Sequence, residues 1–213
     1  MKRATVLALV CAVSAALHAQ SGQPSAAELA QRMQARYRTV QDFTANFTQT
    51  YRGVLLPKQR TESGTLVIKK PNRVRFEYTQ PEKKTFVSDG AVFRSYIPAD
   101  KLGTEDPLPR NNEQSTALLF LAGHGDLVRD FVASMPASQP AGEWHLLLTP
   151  KTAQADFKTL TLIIDRASLA LLGFQTVDDQ GTSTIRLSNL KENTGVKDSV
   201  FVFQFPKGVQ IRR

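Results

Sequence analysis

The 213-residue chain carries 27 Lys and Arg against 19 Asp and Glu, a net charge of +8, with one Cys and three His. That length supports one domain with a sizeable core. No apolar run reaches the ~20 residues of a membrane-spanning helix, and a lone thiol excludes an internal disulfide framework.

Lys2 and Arg3 precede an uncharged apolar run from Ala4 to Leu17, and polar Gln20-Ser21-Gly22-Gln23 follows. This is the layout of a secretory signal peptide over residues 1–19. Cleavage after Ala19 places Leu17 three positions back, whereas cleavage after Ala16 places the smaller Ser14 there, and both sites stay open. Cys11 lies inside the apolar run and leaves with it, and Leu9-Val10 before it are not the small residues of a lipidation site. Residues 20–213 are expected to form one exported domain with 25 Lys and Arg against 19 Asp and Glu, a charge of about +6. Nucleic acid is not a partner outside the cytoplasm. The basic residues are scattered, so they read as solvated strand faces or as a docking patch for an acidic partner.

Pro24, then Ser25 with Glu28 three residues on, marks a capping box. Leu29, Met33, Tyr37 and Val40 follow at helical spacing, so residues 25–40 are expected to be an amphipathic helix. The period then changes to two. Phe43, Ala45, Phe47, Gln49 and Tyr51 share one strand face, Leu66 and Ile68 one face of the next, and Val74, Phe76 and Tyr78 one face of a third, after the Lys70-Pro71-Asn72 turn. Gln80-Pro81 and Asp89-Gly90 punctuate two further strands, the second running from Val92 to Ile97. From Pro98 to Asn112 the pattern reads as a polar loop. Ser115–Val132 reads as two short helices broken by Gly123-His124-Gly125. Strands resume at Trp144–Thr149, Thr159–Asp165, Leu169–Val177, Thr182–Leu190 and Val200–Phe205, with Asp178-Asp179-Gln180-Gly181 a hairpin turn.

About eleven short strands joined by tight turns imply a mainly β domain, an antiparallel sheet curled into a barrel or half-barrel. The two short apolar helices would cover its open side.

Catalytic and metal signatures are lacking in this pattern. His124 and His145 stand apart, no thiol remains after export, and no HExxH, GxSxG or P-loop spacing occurs. Asp178 and Asp179 are adjacent and read as turn formers rather than an acid–base pair. Trp144 reads as a core aromatic. No metal, cofactor or catalytic residue is expected. What the chain does hold is a surplus of aromatics on alternating positions, Phe43, Phe47, Phe76, Tyr78, Phe93, Phe174, Phe201, Phe203 and Phe205 among them. These fill an ordinary sheet core or line a cavity for an apolar ligand.

Phe43-Thr44-Ala45-Asn46-Phe47-Thr48-Gln49, Lys70-Pro71-Asn72-Arg73-Val74-Arg75-Phe76, Gln80-Pro81 and Val87-Ser88-Asp89-Gly90 together resemble the LolA family of periplasmic outer-membrane lipoprotein carriers. Leu148-Thr149-Pro150-Lys151, Asp178-Asp179-Gln180-Gly181 and Phe203-Gln204-Phe205-Pro206-Lys207-Gly208-Val209 continue it in the same order, over roughly residues 28 to 211. The resemblance implies an unclosed antiparallel half-barrel under a helical lid. It also implies a monomeric periplasmic chaperone that takes acylated lipoproteins from an inner-membrane ABC transporter to an outer-membrane receptor lipoprotein. Phe47, Leu66, Ile68, Val74, Phe76, Tyr78 and Phe93 would line the lipid cavity. Leu118, Leu119, Phe120 and Leu121 would form the lid face that fills it when empty. The family's lid latch, an arginine before the Pro-Asn turn, is Lys70 here, and the usual large apolar residue after the turn is Val74. A sensor of mislocalised lipoprotein built on the same half-barrel is the alternative, and a secreted hydrolase a more distant one. The sensor reading calls for a second domain, and the hydrolase would show acyl-ester turnover.

Overall fold

The computed structural model describes residues 23–55, 58–108, 121–123, 125–153 and 157–213. The expected signal peptide, His124 and lid residues Leu118, Leu119 and Phe120 lie outside them.

The capping box is formed: Ser25 Oγ accepts from the Glu28 N–H at 3.2 Å while the Ser25 N–H donates to the Glu28 carboxylate at 2.8 Å. It opens α1, Ala26–Thr39, whose buried side is Leu29, Ala30, Met33 and Tyr37. Burial of Leu29 and of Met33 each contributes about 1.5–3 kcal/mol. Arg36 grips the far end of the chain, donating to both Glu192 carboxylate oxygens at 3.0 and 2.7 Å and to the Ser168 carbonyl at 3.0 Å.

Among the described residues twelve strands follow: β1 Asp42–Gly53, β2 Gln59–Lys69, β3 Arg73–Gln80, β4 Lys84–Asp89, β5 Val92–Ile97, β6 Leu102–Pro107, β7 Phe131–Ser134, β8 Glu143–Pro150, β9 Thr159–Asp165, β10 Leu171–Val177, β11 Gly181–Glu192 and β12 Gln210–Arg212. Their spatial order is β12-β6-β5-β4-β3-β2-β1-β11-β10-β9-β8-β7, a linear order that leaves the sheet unclosed. The long β1 is the spine, paired antiparallel to β2 and β11. Register shifts between Thr44 and Asn46 and between Ser63 and Gly64 are the bulges that bend such a sheet. α1 packs on one face, called the inner face below, and the main core lies between them.

Four readings are corrected. The stretch after Pro98 is not a loop throughout: Leu102–Pro107 forms β6, because Gly103 and Thr104 alternate toward opposite faces and Glu105 pairs with Arg94 of β5 at 2.9 Å. The second short helix expected through Val132 is helical only over Leu127–Asp130, α2, capped by the Asp126 carboxylate, and Val132 belongs to a strand. Phe201 to Phe205 is not a strand. It continues a 3-10 turn, Asp198–Phe201, into an extended strap across the outer face. The last strand, β12, pairs parallel to β6, so the sheet is antiparallel everywhere except there.

The strap is anchored by buried Asp42. Its carboxylate accepts from Thr194 N–H, Thr194 Oγ1, Gly195 N–H and Val196 N–H at 2.8–3.3 Å. Lys69 then reaches the Val196 carbonyl at 2.7 Å, and Arg75 the Val200 carbonyl at 2.8 Å. Phe203 and Phe205 meet Tyr96 at 5.9 and 6.3 Å between ring centres. The ring of Phe205 occupies the place a side chain at Gly103 would take.

The candidate lipid-binding face

Alternation along the central strands decides which residues can act together. Phe47 of β1 lies opposite Gly64 of β2, which lies opposite Tyr78 of β3. Gly64 has no side chain on the inner face, so the Phe47 and Tyr78 rings close over it, edge to face at 4.8 Å. A Cβ there would stand 1.9 Å from the Glu77 carbonyl oxygen, so only glycine fits. Phe47 also meets Phe76 at 5.1 Å, Tyr78 meets Phe86 at 5.6 Å, and Phe86 stacks with Phe93 at 6.4 Å. These contacts form an unbroken aromatic row from the spine strand to β5. Each pair contributes about 0.5–1.5 kcal/mol beyond its burial, which favours one fixed arrangement.

Leu66, Ile68 and Val74 flank the row on the same face. Leu66 pairs with Phe76 and Ile68 with Val74, and all four are buried. Of the seven residues expected to line a cavity, Phe47, Leu66, Ile68, Val74 and Phe76 are thus buried in one cluster, Tyr78 packs against it, and Phe93 is half-buried at the open wing. Phe201, Phe203 and Phe205 do not join them, since the strap holds them outside. Phe86 belongs to the row and was absent from the expected set. Its alternation with Thr85 and Val87, opposite Phe76, is the signal that places it there.

The row has a polar end. Tyr78 Oη donates to Gln49 Oε1, Gln49 donates to Ser183 Oγ at 2.9 Å, and Lys84 is paired with Glu62. Burial pushes the Tyr78 phenol above its ordinary range, so it stays protonated and acts as a donor.

At the opposite end stands Lys70. Its ammonium donates to the Tyr37 carbonyl and lies 3.8 Å from the centre of the Tyr37 ring. Its stem packs against Gly123, where a Cβ would be 3.1 Å from Lys70 Cγ. The Tyr37 hydroxyl donates to the Leu121 carbonyl, and the Asn72 N–H to the Ala122 carbonyl at 3.0 Å. Leu121, the one expected lid residue within the described set, is buried in the main core. Lys70 therefore holds Tyr37, and Tyr37 holds Leu121. Burial lowers the Lys70 pKa to about 8, opposed by the Glu192 charge.

The residues weighed as catalytic are placed elsewhere. His145 faces Glu143 at 3.0 Å, and Arg186 holds that carboxylate's pKa down to about 2. Asp178 Oδ1 accepts from the Gln180 and Gly181 N–H groups at 2.7 Å, which is turn geometry. Trp144 packs against the core with the Arg166 guanidinium 3.9 Å over its ring. No cluster of three or more His, Cys, Asp or Glu suited to a metal ion occurs among the described residues. A groove of about 490 Å³ lies beside the Thr44–Asn46 bulge, lined by Thr44, Asn46, Thr65, Leu66, Asn189 and Lys191.

Residues 38–204 match the family described as outer membrane lipoprotein carrier protein LolA. The outer-membrane lipoprotein carrier protein of Legionella pneumophila strain Paris is 29% identical over 185 residues, covering 84% of this chain and 87% of that one. Its counterpart from Hahella chejuensis is 30% identical over 177 residues, 83% and 84% of the two chains. An uncharacterized conserved protein of Thermus thermophilus, solved by crystallography, shares the fold with a TM-score of 0.52 at 14% identity, covering 88% of this chain and 98% of that one.

Proposed function

Because the chain belongs to the outer membrane lipoprotein carrier protein LolA family, we propose that it is a periplasmic chaperone carrying acylated lipoproteins from the inner to the outer membrane. The observation that carries this reading is the aromatic row from Phe47 to Phe93, continuous with Leu66, Ile68 and Val74 on one face of an unclosed sheet. Such a face offers many contacts to methylene chains and no charge until its polar end at Gln49, Glu62 and Lys84. Acyl chains lie along the row, and the lid, expected over Ser115–Val132, gives way to them. Cargo comes from an ABC transporter in the inner membrane and passes to a receptor lipoprotein in the outer membrane. The work is binding rather than catalysis.

Energetics require the lid. Each buried methylene is worth about 0.8 kcal/mol, so three long acyl chains gain on the order of 30 kcal/mol gross. That exceeds the practical ceiling of about 20 kcal/mol for non-covalent affinity and would forbid release. An empty state that buries its own lid residues on the same face offsets most of the gain. Loading then exchanges lid contacts for lipid contacts, and handover needs no energy source in the periplasm.

Mass spectrometry of material that co-purifies with the protein from a periplasmic extract tests this reading. Acylated lipoproteins are the expected companions. Consistent recovery of unacylated proteins, or of free lipid alone, would contradict it.

A further inference from the structure

Among the described residues the two most exposed large apolar side chains are neighbours, Val54 at 67% and Leu55 at 93%, on the hairpin joining β1 to β2. They are not a loose end. The Val54 N–H donates to the Gln180 carbonyl at 2.9 Å, and Tyr51 Oη donates to the same oxygen at 3.0 Å, pinning the hairpin to the neighbouring turn. On its other side the hairpin runs past its neighbour. β3 stops opposite Ser63, so Gln59 to Glu62 of β2 continue past it, an overhang of about 13 Å. Exposed Arg52, Lys58 and Arg60 flank the tip, and none of them forms an ion pair with a described residue. The nearby acids are engaged: Glu62 pairs with Lys84, Asp179 with Lys158, and Asp178 accepts two backbone N–H groups.

An exposed apolar tip flanked by cations that pair with no described residue is unfavourable in water and favourable at an anionic lipid surface. There the side chains enter the headgroup layer and the cations meet phosphates. We propose that Val54 and Leu55 form a membrane-touching tip, by which the protein docks transiently on a bilayer bearing anionic headgroups. This rests on the carrier reading and extends it. The tip lies beyond the polar end of the aromatic row, on the hairpin that carries Gln49 and Glu62, so docking turns that end of the inner face toward the lipid. Two aliphatic side chains with three cations bind weakly enough to let go, which a shuttle requires.

Co-sedimentation of the empty protein with vesicles of phosphatidylcholine and phosphatidylglycerol, at low and high salt, tests the tip. The expected binding is weaker than the ~10⁴ M⁻¹ of a single myristoyl chain and is lost on pure phosphatidylcholine or in high salt. Leu55→Asp is expected to reduce it by about tenfold, and Arg60→Gln by about fivefold, with the unfolding midpoint unchanged. No binding by the wild type, or equal binding by Leu55→Asp, overturns the proposal. So does a Leu55→Asp defect seen only with a protein receptor and absent with lipid, which would assign the tip to a protein partner. No cargo enters this assay, so failure of the carrier reading is read separately, from what co-purifies.

Discussion

Lys70 holds its charge in a half-buried site, between the carbonyl and the ring of Tyr37. Desolvation lowers its folded pKa from 10.5 to about 8. Between these two values the unfolded chain keeps the proton that the folded one has released, so stability rises with pH across that window. Below pH 8 both states are protonated and the slope vanishes. Urea titrations should therefore show wild-type stability rising against Lys70→Met between about pH 8 and pH 10, with a constant difference at lower pH. A parallel pair of curves throughout would place Lys70 in ordinary solvent. Lys70→Arg tests the latch. A guanidinium has a planar fork that can keep the Tyr37 carbonyl and reach the lid backbone as well. One added charge-assisted hydrogen bond, worth ~1–2 kcal/mol, would shift loading toward empty by about five- to thirtyfold. Unchanged cargo release and thermal stability would leave Lys70 without a latching role.

At the scale of elements, the hairpin of β2 and β3 depends on Gly64, where backbone of Glu77 fills the space of a side chain. Gly64→Ala forces the strands apart and parts Phe47 from Tyr78. The expected cost is about 3 kcal/mol, or ~6–12 °C in melting temperature by calorimetry. A change within a degree or so would mean that the sheet yields there. The elements also divide by how local their causes are. The capping box, the helix and the central strands were legible because Ser25-Glu28, the helical spacing of Leu29, Met33 and Tyr37, and the alternation of Phe43 to Tyr51 are local patterns. β6 escaped notice because its inner and outer positions are Gly103, Thr104 and Glu105, with no apolar alternation. The strap looked like a strand because Phe201, Phe203 and Phe205 alternate. Their partners, Tyr96 and Gly103, lie about a hundred residues earlier, and no local pattern reveals that.

For the whole molecule, the inner face was legible to the extent that alternation assigns Leu66, Ile68, Val74, Phe76 and Tyr78 to one side. The joining of Phe47 to Tyr78 across Gly64, and of Lys70 to Leu121 through Tyr37, depends on register and on a helix packing from afar. In the carrier reading we propose, the row acts as a unit. Phe76 is buried, so a charge there would also burden folding. Phe93, half-buried at the open wing, is the cleaner probe. Phe93→Glu should leave the melting temperature within a few degrees (~2–4 °C) of wild type while reducing lipoprotein uptake by tenfold or more. Equal uptake would remove the outer part of the row from the binding surface.

Whether this face binds acyl chains is decided most directly by a release assay. Membranes bearing one lipoprotein in its acylated form, or anchored instead by a peptide segment without acyl chains, are incubated with the purified protein, and the soluble fraction is analysed. A soluble complex is expected with the acylated form alone, diminished by Phe93→Glu. Release of both forms alike, or of neither, would contradict acyl-chain binding by the aromatic row.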